Sequence, residues 1–426
     1  PLPSLEMEAR LRSIRTALLL KVDTLEVADD TVRFCEALAL QCFTNEYVYG
    51  RMSAEKEALA KLEESVQAKL ERGTQPSSLE VTVLASYASL SDFPWCGQMS
   101  EPDGLATLFQ RQVVDRRLQQ ELKQTLLVLD EISNNVSIDV RSQYEENPYP
   151  RWQSSGTIPE PMTLEELTKA INLRTEPTEA LTRLTPEILI AGCGTGRTTI
   201  DTAKNLKSTN ILAIDLSCAS LSYAKQKARA LCLNNVEFMH ADILGLKKLN
   251  RQFDYIESTG VLHHMEDPMA GWKVLTESLK PGGTMKIGLY SELSRRHIVA
   301  TRHEIQRLGV ETTIEAITGY RSKVMQSEEE HHQMLMRIDD FYSASMFRDL
   351  VFHVQEHRFT IPRLRECLEK LGLDFCGFEG DAQLSAFQNQ FGGGEVLYDL
   401  EKWHVFETNH PDTFIGMYQF WCQKPL

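Results

Sequence analysis

Apolar positions recur at helical spacing from the start of the chain. Leu11, Ile14 and Leu18, and later Leu59, Leu62 and Val66, mark helices with one stripe facing a core. Glycine and proline break the pattern at Arg72-Gly-Thr-Gln-Pro and at Phe93-Pro-Trp-Cys-Gly. Residues 1–145 therefore read as a helical accessory domain. Residues 146–162 hold four prolines, which remove backbone donors and exclude regular helix, so this stretch reads as a linker or lid. Thr163 and Glu166 then stand at capping-box spacing and open a helix carrying Leu164, Leu167 and Ile171.

From residue 187 the period changes. Short apolar runs (Glu187-Ile-Leu-Ile-Ala, Ile211-Leu-Ala-Ile, Val236-Glu-Phe-Met, Phe253-Asp-Tyr-Ile, Thr284-Met-Lys-Ile-Gly-Leu-Tyr) alternate with helix-like stretches such as Ser217 to Leu231. That rhythm predicts an α/β fold, a mostly parallel sheet covered on both faces, with ligands at the carboxyl ends of its strands. A polar helical insertion is expected over 291–360, then a helix from Pro362 to Leu371 and strands at Leu373-Asp-Phe-Cys-Gly-Phe and Ile415-Gly-Met-Tyr-Gln-Phe-Trp-Cys. The expected domain, 163–426, is a seven-stranded Rossmann-like sheet closed by an antiparallel hairpin.

Composition narrows the function. With 42% apolar and 25% charged residues over 426 positions, the chain can bury a full core. A formal charge of −15 argues against a nucleic-acid backbone as partner. Nine cysteines form no Cys-x-x-Cys pair, which fits reduced thiols and a cytoplasmic location. No stretch reaches the roughly 18 apolar residues of a membrane span, and the first residues alternate Glu, Arg and Leu, unlike a signal peptide. No membrane partner is expected, and the oligomeric state stays open.

The chemistry centres on Gly192-Cys193-Gly194-Thr195-Gly196, which follows the first buried strand and precedes a helix. Missing side chains there let backbone approach a ligand. The loop lacks the last glycine of the nicotinamide fingerprint, since Arg197 or Thr199 occupies that position. Asp215 ends the second strand about twenty residues on, where a carboxylate accepts from ribose hydroxyls. Asp242 ends the third, where it can accept from an adenine amine.

The ordered series Ile188-Leu-Ile-Ala-Gly-Cys-Gly-Thr-Gly, Ala213-Ile-Asp-Leu-Ser, Ala241-Asp-Ile, Phe253-Asp-Tyr-Ile-Glu-Ser-Thr-Gly-Val-Leu-His-His-Met-Glu-Asp-Pro and Leu279-Lys-Pro-Gly-Gly-Thr resembles the class I S-adenosylmethionine-dependent methyltransferases. More loosely, Tyr144-Glu-Glu-Asn-Pro-Tyr-Pro-Arg-Trp resembles bacterial methyltransferases often associated with tetratricopeptide repeats. The resemblance implies S-adenosyl-L-methionine as cofactor, held by Gly192, Cys193, Gly194, Thr195, Gly196, Asp215, Leu216, Asp242, Ile243 and Thr259. One departure is Ile190, where the family carries an acidic residue for the methionine ammonium. Another is Thr259-Gly260, in place of the Asn or Asp before Pro-Pro-Tyr that serves amide and base-amine acceptors.

His263 and His264 follow the fourth strand and are the candidates for a general base, His263 being the one named, because imidazole titrates near neutrality; the alternative for His263 is a packed, hydrogen-bonded histidine. Tyr290, His353, Glu356 and His357 are expected beside the acceptor. His353-Val-Gln-Glu-His357 also matches the H-x-x-E-H zinc-protease pattern with both imidazoles on one helical face. No third ligand can be named there, and no metal is expected. His331 and His332 read as solvated surface. Tyr149 and Trp152 are expected to fold over the sulfonium by cation–π attraction, the alternative being aromatics packed on the core. The expected function is methyl transfer to an O, N or C nucleophile. A protein or peptide acceptor is favoured over a small molecule by the large helical domain, and the rival from another class is a non-catalytic cofactor-binding regulator.

Overall fold

The computed structural model describes residues 1–25, 28–146, 148–154, 156 and 160–426. Within the linker, Asn147, Ser155, Thr157, Ile158 and Pro159 lie outside the described residues. The chain forms two compact units, Pro1–Glu121 with His297–Phe352, and Leu122–Arg296 with His353–Leu426. Both expected boundaries move. The insertion joins the N-terminal helices, and residues 122–146 join the sheet.

The first unit is helical. Helices Leu5–Leu20, Asp29–Thr44, Ser53–Glu71 and Ser78–Ala85 enclose a core containing Leu19, Leu62, Val66, Tyr87 and Trp95. Gly73, at φ +76°, ends the third of them, where only a residue without Cβ enters the left-handed region freely. A capping box between Ser77 and Glu80 starts the fourth. One buried ion pair explains why the insertion belongs here. Arg321, on helix Ile314–Val324, donates to both oxygens of Glu8 at 2.8 and 2.7 Å and to the Phe341 carbonyl at 2.7 Å. His332 is 1% exposed, not solvated surface, because its ring packs against Tyr320.

The second unit is built on eight strands: β1 (Leu127–Val128), β2 (Glu187–Ala191), β3 (Asn210–Asp215), β4 (Val236–His240), β5 (Phe253–Thr259), β6 (Leu279–Leu289), β7 (Asp374–Phe378) and β8 (Tyr418–Gln423). Their order is β1-β4-β3-β2-β5-β6-β8-β7. Only β8 runs antiparallel, to β6 and to β7 on either side. The strand absent from the expectation is β1, whose two exposed residues pair with Met239 and His240 and are too few to show a period.

Alternation explains the layers. Leu189, Ala191, Leu212 and Ile214 enter one core, while Ile188, Ile190, Ile211 and Ala213 enter another on the opposite face. The middles of β2 and β3 are thus apolar on both faces, as a sheet covered on both sides requires. Helices Arg197–Asn205, Cys218–Ala230 and Pro268–Ser278 form the crossovers. The order of strand addition reverses at β2, which lies parallel between β3 and β5, so a crevice opens at their carboxyl ends. All nine cysteines are free thiols.

Candidate cofactor and methyl-transfer site

β2 delivers the chain into the glycine loop at that crevice. Gly192, Gly194 and Gly196 have φ of +79°, +51° and +81°. A Cβ on Gly192 would stand 2.3 Å from a Val261 methyl, and one on Gly194 2.9 Å from the Tyr149 carbonyl oxygen, so neither position admits a side chain. The N–H groups of Gly192 and Cys193 both donate to the Ile214 carbonyl at 2.9 Å, which ties the loop to the end of β3.

Asp215 completes the tie. Its carboxylate accepts the Gly194 N–H at 2.7 Å and the Ser217 N–H at 2.8 Å. Burial pushes its pKa up to about 6, against the pull of those two donors. Next along, Asp242 accepts the Leu244 N–H at 2.9 Å and caps the turn Ile243–Leu249.

Among the described residues, the cleft at these strand ends is lined by Ser137, Val140, Tyr144, Gly192, Asp215, Leu216, Ala241, Asp242, Ile243, Val261, His264 and Met265. Its cavity measures about 70 Å³. Leu216, Ile243, Val261 and Met265 form apolar walls, and two carboxylates stand between them. That is the usual makeup of a small-molecule site, a mostly apolar pocket with few placed polar groups. Ser137, Val140 and Tyr144 lie at helical spacing on helix Asn135–Glu146 and present one face. That spacing was legible in the sequence, but nothing there tied it to the glycine loop.

Several expected residues stand outside the cleft. Cys193 and Thr195 are buried beneath the loop, where Thr195 donates its hydroxyl to the Pro150 carbonyl. Thr259 packs against Gly288 in the β5–β6 ladder. Tyr149 meets Gly194 by its backbone. Trp152, 8% exposed, packs with Ile200 and Tyr223 and donates its indole N–H to the Thr195 carbonyl at 3.0 Å. It therefore braces the glycine loop from behind, and the aromatic on the cleft wall is Tyr144.

The histidine pair divides in the same way. His263 is 0% exposed, and burial, helped by His264, Arg295 and His353, holds its imidazole well below the usual range. Its ring lies 3.8 Å from that of Tyr290. His264 lines the cleft instead. Its Nδ1 lies 2.7 Å from the Gln355 carbonyl oxygen, which can only accept, so Nδ1 carries the proton and Nε2 keeps the lone pair. The Gln355 N–H donates to His353 Nδ1 at 3.1 Å, and the His264 and His353 rings stack at 3.6 Å.

The zinc-protease pattern does not form. Helix Ala344–Phe352 ends before His353, so the residues share no helical face. Glu356 is buried in ion pairs with Arg295 and Arg358, and His357 Nε2 lies 3.2 Å from the Glu266 carbonyl. Arg295 also lies 3.7 Å over the Tyr290 ring. Tyr290, His353 and Glu356 thus form one buried cluster beside His264, and His357 closes its outer edge.

The family model described as a methyltransferase domain matches residues 188–283. An uncharacterized protein from Synechococcus is 30% identical over 256 residues, covering 54% of this chain and 60% of that protein. Trans-aconitate 2-methyltransferase from Deinococcus radiodurans is 30% identical over 141 residues, 31% of this chain and 52% of that enzyme. Among solved structures, PKMT2 from Rickettsia typhi in complex with AdoHcy is similar at 18% identity and a TM-score of 0.48, covering 65% of this chain and 54% of that one. The chain spans 60% and 52% of the length of those two curated relatives. Residues 188–283 thus match a methyltransferase domain, and the rest of the chain lies outside that match.

Proposed function

We propose that the protein transfers a methyl group from S-adenosyl-L-methionine to an oxygen, nitrogen or carbon nucleophile. The observation that carries this reading is the cleft in which Gly192, Asp215 and Asp242, from three successive strand ends, meet Tyr144 and His264. The residues fit the cofactor. Asp215 is placed for the ribose hydroxyls and Asp242 for the adenine amine, with Leu216 and Ile243 as the apolar walls of the base. Gly192, the loop residue on the cleft wall, would border the remaining, amino-acid part. When bound, the cofactor supplies an electrophilic methyl on a sulfonium.

The chain's own part is positioning, exclusion of water and a proton acceptor. His264, not His263, is the proposed base. Gln355 fixes its tautomer and leaves Nε2 able to take a proton from an acceptor hydroxyl, amine or acidic carbon.

Two acceptor classes remain in play. A protein or peptide is supported only by the size of the helical unit. Burial supports a small molecule, since His264, at the cleft, and His353, Tyr290 and Arg295 behind it are all buried. Some relatives carry small-molecule names, trans-aconitate 2-methyltransferase and demethylmenaquinone methyltransferase. The free thiols fit a reducing compartment such as the cytoplasm.

The test is release of S-adenosylhomocysteine on incubation with lysate divided into small-molecule and macromolecular fractions. Release with the first supports this reading, and release only with the second restores the peptide acceptor. Tight S-adenosylhomocysteine binding without turnover on either fraction would leave the non-catalytic regulator.

A further inference from the structure

We infer that the helical unit holds a divalent transition-metal ion of the zinc class between Glu304, His331 and His332, remote in sequence from the cofactor motifs and independent of them. The three come from two helices, Arg296–Leu308 and Glu330–Leu335. One ligand atom from each lies within 4.8 Å of the others. Glu304 Oε2 is 3.2 Å from His331 Nε2 and 3.0 Å from His332 Nε2. A tetrahedral ion at roughly 2.0–2.1 Å from its ligands sets neighbouring ligand atoms about 3.3 Å apart. The observed separations are close to that edge.

The surroundings fit a bound cation. The side chains of Glu304, His331 and His332 are 13%, 20% and 2% exposed, so the cluster is not an accidental meeting of solvated groups. His332 Nδ1 lies 2.7 Å from Ser327 Oγ, an oxygen that can take the Nδ1 proton and hold the ring with Nε2 facing the site. The Tyr320 hydroxyl lies 3.2 Å from His332 Nε2, a contact that an ion would replace. Two imidazoles and one carboxylate favour zinc or its neighbours over magnesium or calcium, which prefer oxygen.

One feature opposes binding. Lys323 Nζ takes the other oxygen of Glu304 at 2.5 Å. It leaves Oε2 free for the metal but places a positive charge beside it. The ion would clip helix Glu330–Leu335 to helix Arg296–Leu308 and so stabilise the insertion.

The test uses the full, tag-free chain stripped with chelator. Zinc alone is titrated by calorimetry, cobalt alone by visible absorption, and melting is followed with and without zinc. The expected result is one equivalent per chain, a tetrahedral cobalt spectrum and a higher melting temperature with zinc. Outer-sphere partners alone are worth about 10- to 100-fold in affinity, so His331→Ala, which removes a direct ligand, should weaken zinc by at least about 100-fold. Lys323→Ala should tighten it. The proposal is overturned if the folded wild-type chain shows no saturable zinc binding. It is equally overturned if His331→Ala and Glu304→Gln, both still folded, bind zinc as the wild type does, since the ion would then sit elsewhere.

Discussion

If Asp215 holds the ribose, cofactor affinity must depend on pH in a way the structure sets. Burial raises this carboxylate from 3.8 to about 6, with Glu145 adding to the rise while the Ser217 and Gly194 N–H groups oppose it. Two hydroxyls donating to it require the ionised form, so ligand and proton compete. With a pKa near 6 the ionised fraction is about nine tenths at pH 7, one half at pH 6 and one tenth at pH 5. Affinity for S-adenosylhomocysteine should be flat above about pH 7, fall about twofold by pH 6 and about tenfold by pH 5. Calorimetry in buffers of different ionisation enthalpy should show about half a proton released per ligand at pH 6. The stability of the cofactor-free fold moves the opposite way with pH. A folded-state pKa raised above 3.8 favours the cofactor-free fold fully below that value, and the contribution is lost as pH rises through about 6. The ligand should therefore raise the melting temperature more at pH 7 than at pH 5. Asp215→Asn loses charge-assisted contacts worth about 2–3 kcal/mol, so affinity at pH 7.5 should drop roughly 30- to 150-fold and the slope between pH 5 and 7 should vanish. Wild-type affinity that stays constant from pH 8 to pH 5, or an Asn variant that binds as tightly, would refute the assignment.

Three other outcomes follow from particular contacts. Trp152→Ala removes a buried ring and the donor to the Thr195 carbonyl, so it should destabilise the fold by about 3–5 kcal/mol, while ligand affinity at low temperature changes less than about threefold. Lost turnover at an unchanged melting temperature would instead restore the lid reading. His264→Asn keeps a donor for the Gln355 carbonyl but removes the lone pair, so turnover should fall about 100-fold or more with S-adenosylhomocysteine affinity unchanged. Full turnover in this variant would rule out His264 as base. Arg321→Met leaves the Glu8 carboxylate buried without its cation, and chemical denaturation should register about 3–5 kcal/mol lost from the helical unit; an unchanged transition would show that the pair does not hold the insertion.

The sheet and the glycine loop were legible because they rest on local rules. A strand covered on both faces must be apolar throughout, and Ile188 to Ala191 and Ile211 to Ile214 are. A loop that takes positive φ three times must supply glycine, and Gly192, Gly194 and Gly196 do. Asp215 and Asp242 follow from where those strands stop. β1 was missed for the opposite reason. Its two residues pair with β4 only once the chain has folded, and so short a segment carries no period.

What sequence could not supply is the direction in which adjacent side chains point. His263 and His264 are chemically identical neighbours on the turn Leu262–His264, and successive residues of a 3₁₀ turn project about 120° apart. One meets Tyr290 in the interior and the other meets the cleft, so imidazole chemistry alone assigns the base to either. The same ambiguity separated Trp152 from Tyr144, two aromatics of one segment that the fold sends to opposite sides of the glycine loop. In the helical unit the deciding contact is longer in range. Glu8 and Arg321 are 313 positions apart, and each read alone is an ordinary charge on an amphipathic helix. Only because both are buried do they have to find each other, and that pairing draws 297–352 into the N-terminal helices. The boundary residues 122–146 join the sheet through contacts of their own: Leu127 and Val128 pair with the edge of β4, and helix Asn135–Glu146 brings Tyr144 to the cleft.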